Sequence, residues 1–278
     1  MISEEDRELI INFKRRRVHR AILMGSARFF VIIKNMNNFN NYLTFKKNNW
    51  ELVVNLQGGR IVYLNYYNTN ILGSFSRIDG KEGNTHLCLP NFAGEGEAKY
   101  SLPFHGFARL NHWQFAQERA SSIGISTLIK ATIKYASDLL VSQKFILEKK
   151  YFQQEIKVTN IGVKKVPLNI GIHNYWSTTH GWEGLAINGY KVVDLIKENK
   201  AINIGPKNEI VFPIGRRVEW ETQGFAKAVL WSASKNGHYN SDFVCIEPVK
   251  EYSEAYFGSE ESMLLANKSL ICSQRIKL

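Results

Sequence analysis

A chain of 278 residues, 44% hydrophobic and 22% charged, has the make-up of an ordinary soluble globular protein that can bury a core without metal or disulfide support. Its formal charge of +11 is spread along the sequence, with eight basic and four acidic residues in the first forty, so the dense basic stripe of a nucleic-acid binder is missing. Three widely separated cysteines, Cys88, Cys245 and Cys272, with no CxxC pair, argue against a disulfide framework or a zinc site and for a reducing, cytoplasmic compartment.

Glu4 to Phe13 has the periodicity of a short helix. The basic run Lys14 to Arg17 reads as a solvated face. From Ala21 to Ile33 the chain is mostly apolar, but this is too short to span a bilayer, so no membrane span is predicted. An Asn-rich stretch, Asn35 to Asn41, marks a boundary, giving an N-terminal extension over 1–40 and a main domain over 41–278. Beyond it the pattern is β. Runs rich in β-branched and aromatic residues occur at Val53–Leu56, Arg60–Leu64, Ile123–Tyr135, Lys144–Leu147, Glu155–Val158, Val166–Ile172, Ala228–Trp231 and Phe243–Ile246. Turn signals such as Gly58-Gly59, Asn160-Ile161-Gly162 and Asn236-Gly237 separate them. The fold class expected is all-β, a large antiparallel β-sandwich.

Strand alternation places candidate chemistry. Leu168, Ile170 and Ile172 share one face, leaving Asn169, Gly171, His173 and Tyr175 on the other, where a ligand can lie. Phe243, Cys245 and Glu247 share a face, and Pro248 predicts that Glu247 ends its strand. His105, between Pro103 and Gly106, belongs to a loop or tight turn. Two histidines and a carboxylate can give and take protons on a neutral polar substrate. The competing readings are structural: His173 bonded to a neighbouring carbonyl, and Glu247 in a salt bridge with one of the 36 basic residues. His112, His180 and His238 read as surface or packing residues, and the six tryptophans as mostly core. Gly94-Glu95-Gly96 lacks the third glycine of a dinucleotide loop, and no histidine pair has metal-ligand spacing, so neither a cofactor nor a metal is expected.

These segments resemble the aldose 1-epimerase (mutarotase) family from about Leu52 onward. Leu89-Pro90-Asn91-Phe92 and Leu102-Pro103-Phe104-His105-Gly106-Phe107-Ala108-Arg109 are similar to the W-P-x-F and L-P-x-H-G-F-A-R motifs of the branch that includes hexose-6-phosphate mutarotases. His173-Asn174-Tyr175-Trp176 stands where the family has H-P-Y-F, and Cys245-Ile246-Glu247-Pro248 is similar to its strand bearing the catalytic glutamate. The resemblance implies a large antiparallel β-sandwich and interconversion of the α and β anomers of an aldose without a cofactor. It also implies Glu247 as base, His173 as acid, and His105 assisting at the ring oxygen or sharing the acid role. Arg109, Arg77, His86 and Tyr175 would bind substrate, and Tyr175, Trp176 or Trp231 would stack on the sugar.

The partner implied is a small sugar, with no nucleic acid or membrane; the oligomeric state is not legible. Where the phosphate-using branch carries Arg and Gln, this chain has Glu82 and Phe104, which favours an unphosphorylated sugar. A non-catalytic carbohydrate-binding domain and a hexose-6-phosphate mutarotase are the alternatives.

Overall fold

The structure is a computed structural model that describes residues 41–278 apart from 179, 180, 199 and 254. The expected N-terminal helix and extension, and His180, lie outside the described residues. Most of the described chain forms two large antiparallel sheets. The first has eleven strands and runs in the order Tyr42–Lys47, Trp50–Asn55, Arg60–Tyr66, Thr69–Ser76, Tyr175–Ser177, Phe243–Val249, Gly171–His173 and His86–Cys88. Lys227–Trp231 also pairs with Phe243–Val249, and Glu82–Asn84 with Thr69–Ser76. The second sheet has nine strands, with Arg217–Gln223, Ser269–Lys277, Tyr151–Asn160, Leu139–Glu148 and Ser122–Ile129 at its centre.

Alternation makes these strands two-faced. In Tyr151–Asn160 the inward residues Phe152, Gln154, Ile156 and Val158 are buried, and the residues between them are half-buried. Inward faces of both sheets build one main core. Trp50 of the first sheet meets Phe152 of the second at 6.3 Å between ring centroids, and Trp176 meets Trp220 at 6.2 Å. Burying each such ring stabilises the sandwich by about 2 kcal/mol or more.

One polar thread crosses this core. Gln143 donates to the Gly59 carbonyl (3.1 Å), Gln154 to Gln143 (2.7 Å) and Gln274 to Gln154 (2.8 Å), while Asn174 and Gln274 exchange bonds of 2.8 and 3.1 Å. All four amide side chains are buried. A buried amide is tolerated because its partners replace water.

Several local expectations change. The strand begun at Ser122 ends at Ile129 rather than Tyr135. Val166 to Ile172 is not one strand: Val166–Pro167 pairs with Met263–Leu264, and Gly171–His173 joins the eleven-stranded sheet. Glu247 does not end its strand, which continues to Val249 with Pro248 inside it. The adjoining chain explains this. It pairs at Gly171↔Val249 and from Tyr175↔Cys245 to Ser177↔Phe243, skipping residues 246–248, so a residue without an N–H is accommodated there. Among the described residues, no helix is long and apolar enough to cross a membrane.

Candidate active site

The neighbouring segment breaks at Asn174, yet alternation persists across the break. Ile170, Ile172 and Trp176 enter the main core, while Gly171, His173 and Tyr175 face the opposite side of the sheet. Asn174 also faces inward, to Gln274, so its amide anchors the break. Cys245 and Glu247, two residues apart on the next strand, lie on the same face as His173, Tyr175 being directly across from Cys245. Val229 and Trp231 adjoin from the far side, across from Glu247 and Cys245. His86 lies directly across from His173 on the remaining flank. The site is thus a patch of adjacent strands on the face turned away from the main core.

Two small apolar clusters bracket this patch. Cys88, Phe92, Val229 and Val249 lie at one end, and Tyr175, Ala233, Phe243 and Cys245 at the other. Between them His173 is 6% exposed and Glu247 2%. His173 Nδ1 is 3.5 Å from Glu247 Oε1 and has no hydrogen-bond partner. Tyr175 stacks on the His173 ring at 4.9 Å, and Trp231 meets it edge-on at 5.6 Å. His173 Nδ1 meets no carbonyl, and among the described residues the partner of Glu247 is His173 rather than a Lys or Arg.

His105 completes the cluster from a loop, as expected. It has a left-handed φ of 61°, Gly106 follows at 70°, and the Gly106 amide donates to the Pro103 carbonyl at 2.7 Å. A side chain at Gly106 would place its Cβ 2.0 Å from the Leu89 carbonyl oxygen, so only glycine lets the two segments approach this closely. The ring of His105 lies 5.1 Å from that of His173 and 5.6 Å from that of His86, and the rings of His86 and His173 are 5.0 Å apart.

Two of the three histidines have their tautomer fixed. His86 Nδ1 donates to the Asn84 carbonyl at 2.6 Å, and His105 Nδ1 donates to the Phe92 carbonyl. A carbonyl only accepts, so in each neutral ring the proton is on Nδ1 and Nε2 carries the lone pair. Burial keeps them neutral, pushing His86 down to about 3 and His105 to about 4. A neutral Nε2 accepts hydrogen bonds and has no proton to give. His105 in this state is therefore an acceptor for a hydroxyl, which runs against the expectation that it shares the acid role.

Burial also lowers the His173 pKa well below that of a free imidazole and raises the Glu247 pKa well above the ordinary carboxylate range. A nearby carboxylate alone would favour the imidazolium. Here desolvation opposes both charges, and the neutral forms gain relative to an exposed pair.

The other expected residues separate. Arg77 lies over the Trp231 ring (4.8 Å) at the patch edge and pairs with Asp79. Arg109 donates from Nε and Nη2 to the Phe104 carbonyl at 3.2 and 3.0 Å, which holds the loop carrying His105. Trp176 is fully buried in the main core and cannot stack on a sugar, because its position in the alternation turns it away from the patch. Beside Phe92 opens a cleft of about 540 Å³ bordered by Glu95, Asn169, Glu251 and Tyr252. Sequence reasoning did not find Tyr252; its only signal was its nearness in the chain to Glu247. All three cysteines are free and buried.

The aldose 1-epimerase family profile matches residues 43–207, a span that contains His86, His105 and His173 but not Glu247. No curated protein matches the chain. A galactose mutarotase related enzyme from Lactobacillus acidophilus superposes with a TM-score of 0.70 at 14% identity, covering 85% of this chain and 96% of that one. A galactose mutarotase-like protein from Lactobacillus casei gives 0.68 at 13% identity, covering 85% and 99%. Galactose 1-epimerase from Lactobacillus acidophilus NCFM gives 0.59 at 13% identity, covering 90% and 97%. At these identities the likeness speaks to the fold: a large antiparallel sandwich of the galactose mutarotase type.

Proposed function

The chain belongs to the aldose 1-epimerase family, and from that premise we propose that it is a mutarotase for an unphosphorylated aldose, with His173 and Glu247 as its acid/base pair. The observation that carries the reading is the buried pair itself, 3.5 Å apart on the face of a sheet turned away from the main core. Anomer exchange needs one group to take the anomeric hydroxyl proton while another protonates the ring oxygen. The ring opens to the aldehyde, the C1–C2 bond rotates, and reclosure with the roles reversed gives the other anomer.

One proton on the pair suffices throughout. As carboxylate and imidazolium, Glu247 takes and His173 gives; the neutral arrangement holds the same proton on Glu247. Burial favours the neutral arrangement and proximity the ionic one, so the two opposing effects narrow the gap between them. His105, with a bare Nε2, accepts from a sugar hydroxyl and orients the ring, while His86, whose own Nε2 is buried without a partner, supports the rings of His105 and His173. Tyr175 and Trp231 supply aromatic surface.

The absence of phosphate from the substrate is supported by three residues. Glu82 is exposed and accepts from Ser76 Oγ, the Phe104 ring offers no hydrogen bond where a phosphate-binding side chain would be needed, and Arg109 has two donors committed to the Phe104 carbonyl.

The test is the rate of anomer exchange, followed by one-dimensional NMR with freshly dissolved α-glucose, α-galactose and glucose 6-phosphate. Acceleration of a free aldose is expected. Glu247→Gln and His173→Asn should each slow it by about 10²- to 10⁴-fold, with the circular dichroism spectrum unchanged. Full turnover in either variant would overturn the roles, and acceleration of the phosphate ester alone would overturn the substrate class.

A further inference from the structure

His173, Cys245 and Glu247 present an imidazole nitrogen, a thiol sulfur and a carboxylate oxygen within 4.8 Å of one another. We propose that these three side chains form a site for a borderline-soft divalent cation of the Zn²⁺ type, and that its occupancy blocks anomer exchange.

The donor set is one that zinc favours: N, S and O, leaving a fourth position open. All three groups are more than nine-tenths buried, at 6%, 0% and 2% exposure. His173 Nδ1 has no hydrogen-bond partner, so its lone pair can be taken without breaking a bond of the fold. Tetrahedral zinc at the usual bond lengths of about 2.0–2.3 Å sets ligand atoms about 3.3–3.6 Å apart. The His173–Glu247 separation of 3.5 Å already meets this, and the sulfur, within 4.8 Å of the other two atoms, closes by roughly 1.2 Å where the spacing is widest.

Charge also balances. A dication with one thiolate, one carboxylate and a neutral imidazole is net neutral, the condition under which buried charge is tolerated. The thiol proton and the proton shared by His173 and Glu247 both pass to solvent on binding. Of the cations facing the site, Arg77 is matched by Asp79, and Arg109 is tied to the Phe104 carbonyl. The strand ladder fixes the backbone positions of the three residues. Cys245 and Glu247 alternate onto one face, and the flanking pairs Gly171↔Val249 and Tyr175↔Cys245 bracket His173 beside Glu247. A bound ion engages both members of the acid/base pair, so metal and proton transfer exclude each other. That exclusion rests on the mutarotase reading; binding of the ion does not.

Co²⁺ is the probe, because a cobalt–thiolate bond gives a near-ultraviolet charge-transfer band whether or not the protein turns over sugar. Metal-free protein should develop this band at one equivalent and lose it to Zn²⁺. The same Zn²⁺ titration should abolish anomer exchange, and EDTA should restore it. Cys245→Ser should lack the band and bind Zn²⁺ at least about tenfold more weakly, whereas Cys88→Ser should keep it. No band in the wild type, or a band that persists in Cys245→Ser, would overturn the site. A band at one equivalent with exchange unimpaired would overturn the exclusion. Absence of exchange in metal-free protein would refute the mutarotase reading and leave the cobalt result to decide the site.

Discussion

Burial holds the imidazoles of His86 and His105 neutral, and acid should expose this. Both stay neutral in the folded protein down to about 3 and 4, whereas in the unfolded chain an imidazole takes up a proton below about 6.5. Between those limits the unfolded state binds protons that the native state does not, so the free energy of unfolding falls as the pH falls. Glu247 acts in the opposite sense. Its raised pKa lets the native state hold a proton above the unfolded carboxyl's pKa, and that contribution is lost as pH rises towards the raised value. His86→Gln should therefore remove about one proton from the slope, or about 1.4 kcal/mol per pH unit between about pH 6 and pH 4. Urea denaturation over that range measures it. An unchanged slope would mean that His86 is protonated in the native state.

The turn at His105 and the break at Asn174 position the chemistry, and each has its own failure. Gly106→Ala forces a Cβ against the Leu89 carbonyl in a left-handed backbone, so it should cost at least about 1–3 kcal/mol and displace His105. A lower melting temperature together with slower anomer exchange is expected; wild-type behaviour in both would refute the close approach. How much of this was legible depends on how local its cause is. Alternation alone put Gly171, His173 and Tyr175 opposite Ile170 and Ile172, and Pro103 with Gly106 marked the turn. The motif Leu102 to Arg109 pointed to the family and, through it, to the sandwich. What escaped depends on where the folded backbone carries each group. Asn174 breaks its strand against Gln274, Pro248 lies inside a strand because of that break, and the tautomers of His86 and His105 are set by the carbonyls of Asn84 and Phe92. Arg109 looked like a ligand for substrate because the sequence does not show that its nearest acceptor is its own loop.

The amide thread makes the sandwich one mechanical unit, since it runs from strands of the second sheet to the segment bearing His173. Gln274→Leu leaves Asn174, Gln154 and the indole of Trp220 short of partners, and each stranded group costs about 1–3 kcal/mol. It should lower stability by several kcal/mol and, on the proposed reading, slow anomer exchange even though Gln274 lies beneath the face bearing His173 and Glu247. Calorimetry should show one transition, with calorimetric and van't Hoff enthalpies equal. Two resolved transitions would mean that the sheets melt separately. A different consequence follows from how the patch divides its labour between strands and loops. His173, Cys245 and Glu247 come from interior strands that tolerate little change, whereas Phe104 at 49% exposure and Tyr252 at 41% sit on loops at its rim. On the proposed mutarotase reading, new sugar preferences can be acquired by drift at these two rings while proton transfer is left intact, so a library randomised at Phe104 and Tyr252 should shift sugar preference without abolishing anomer exchange.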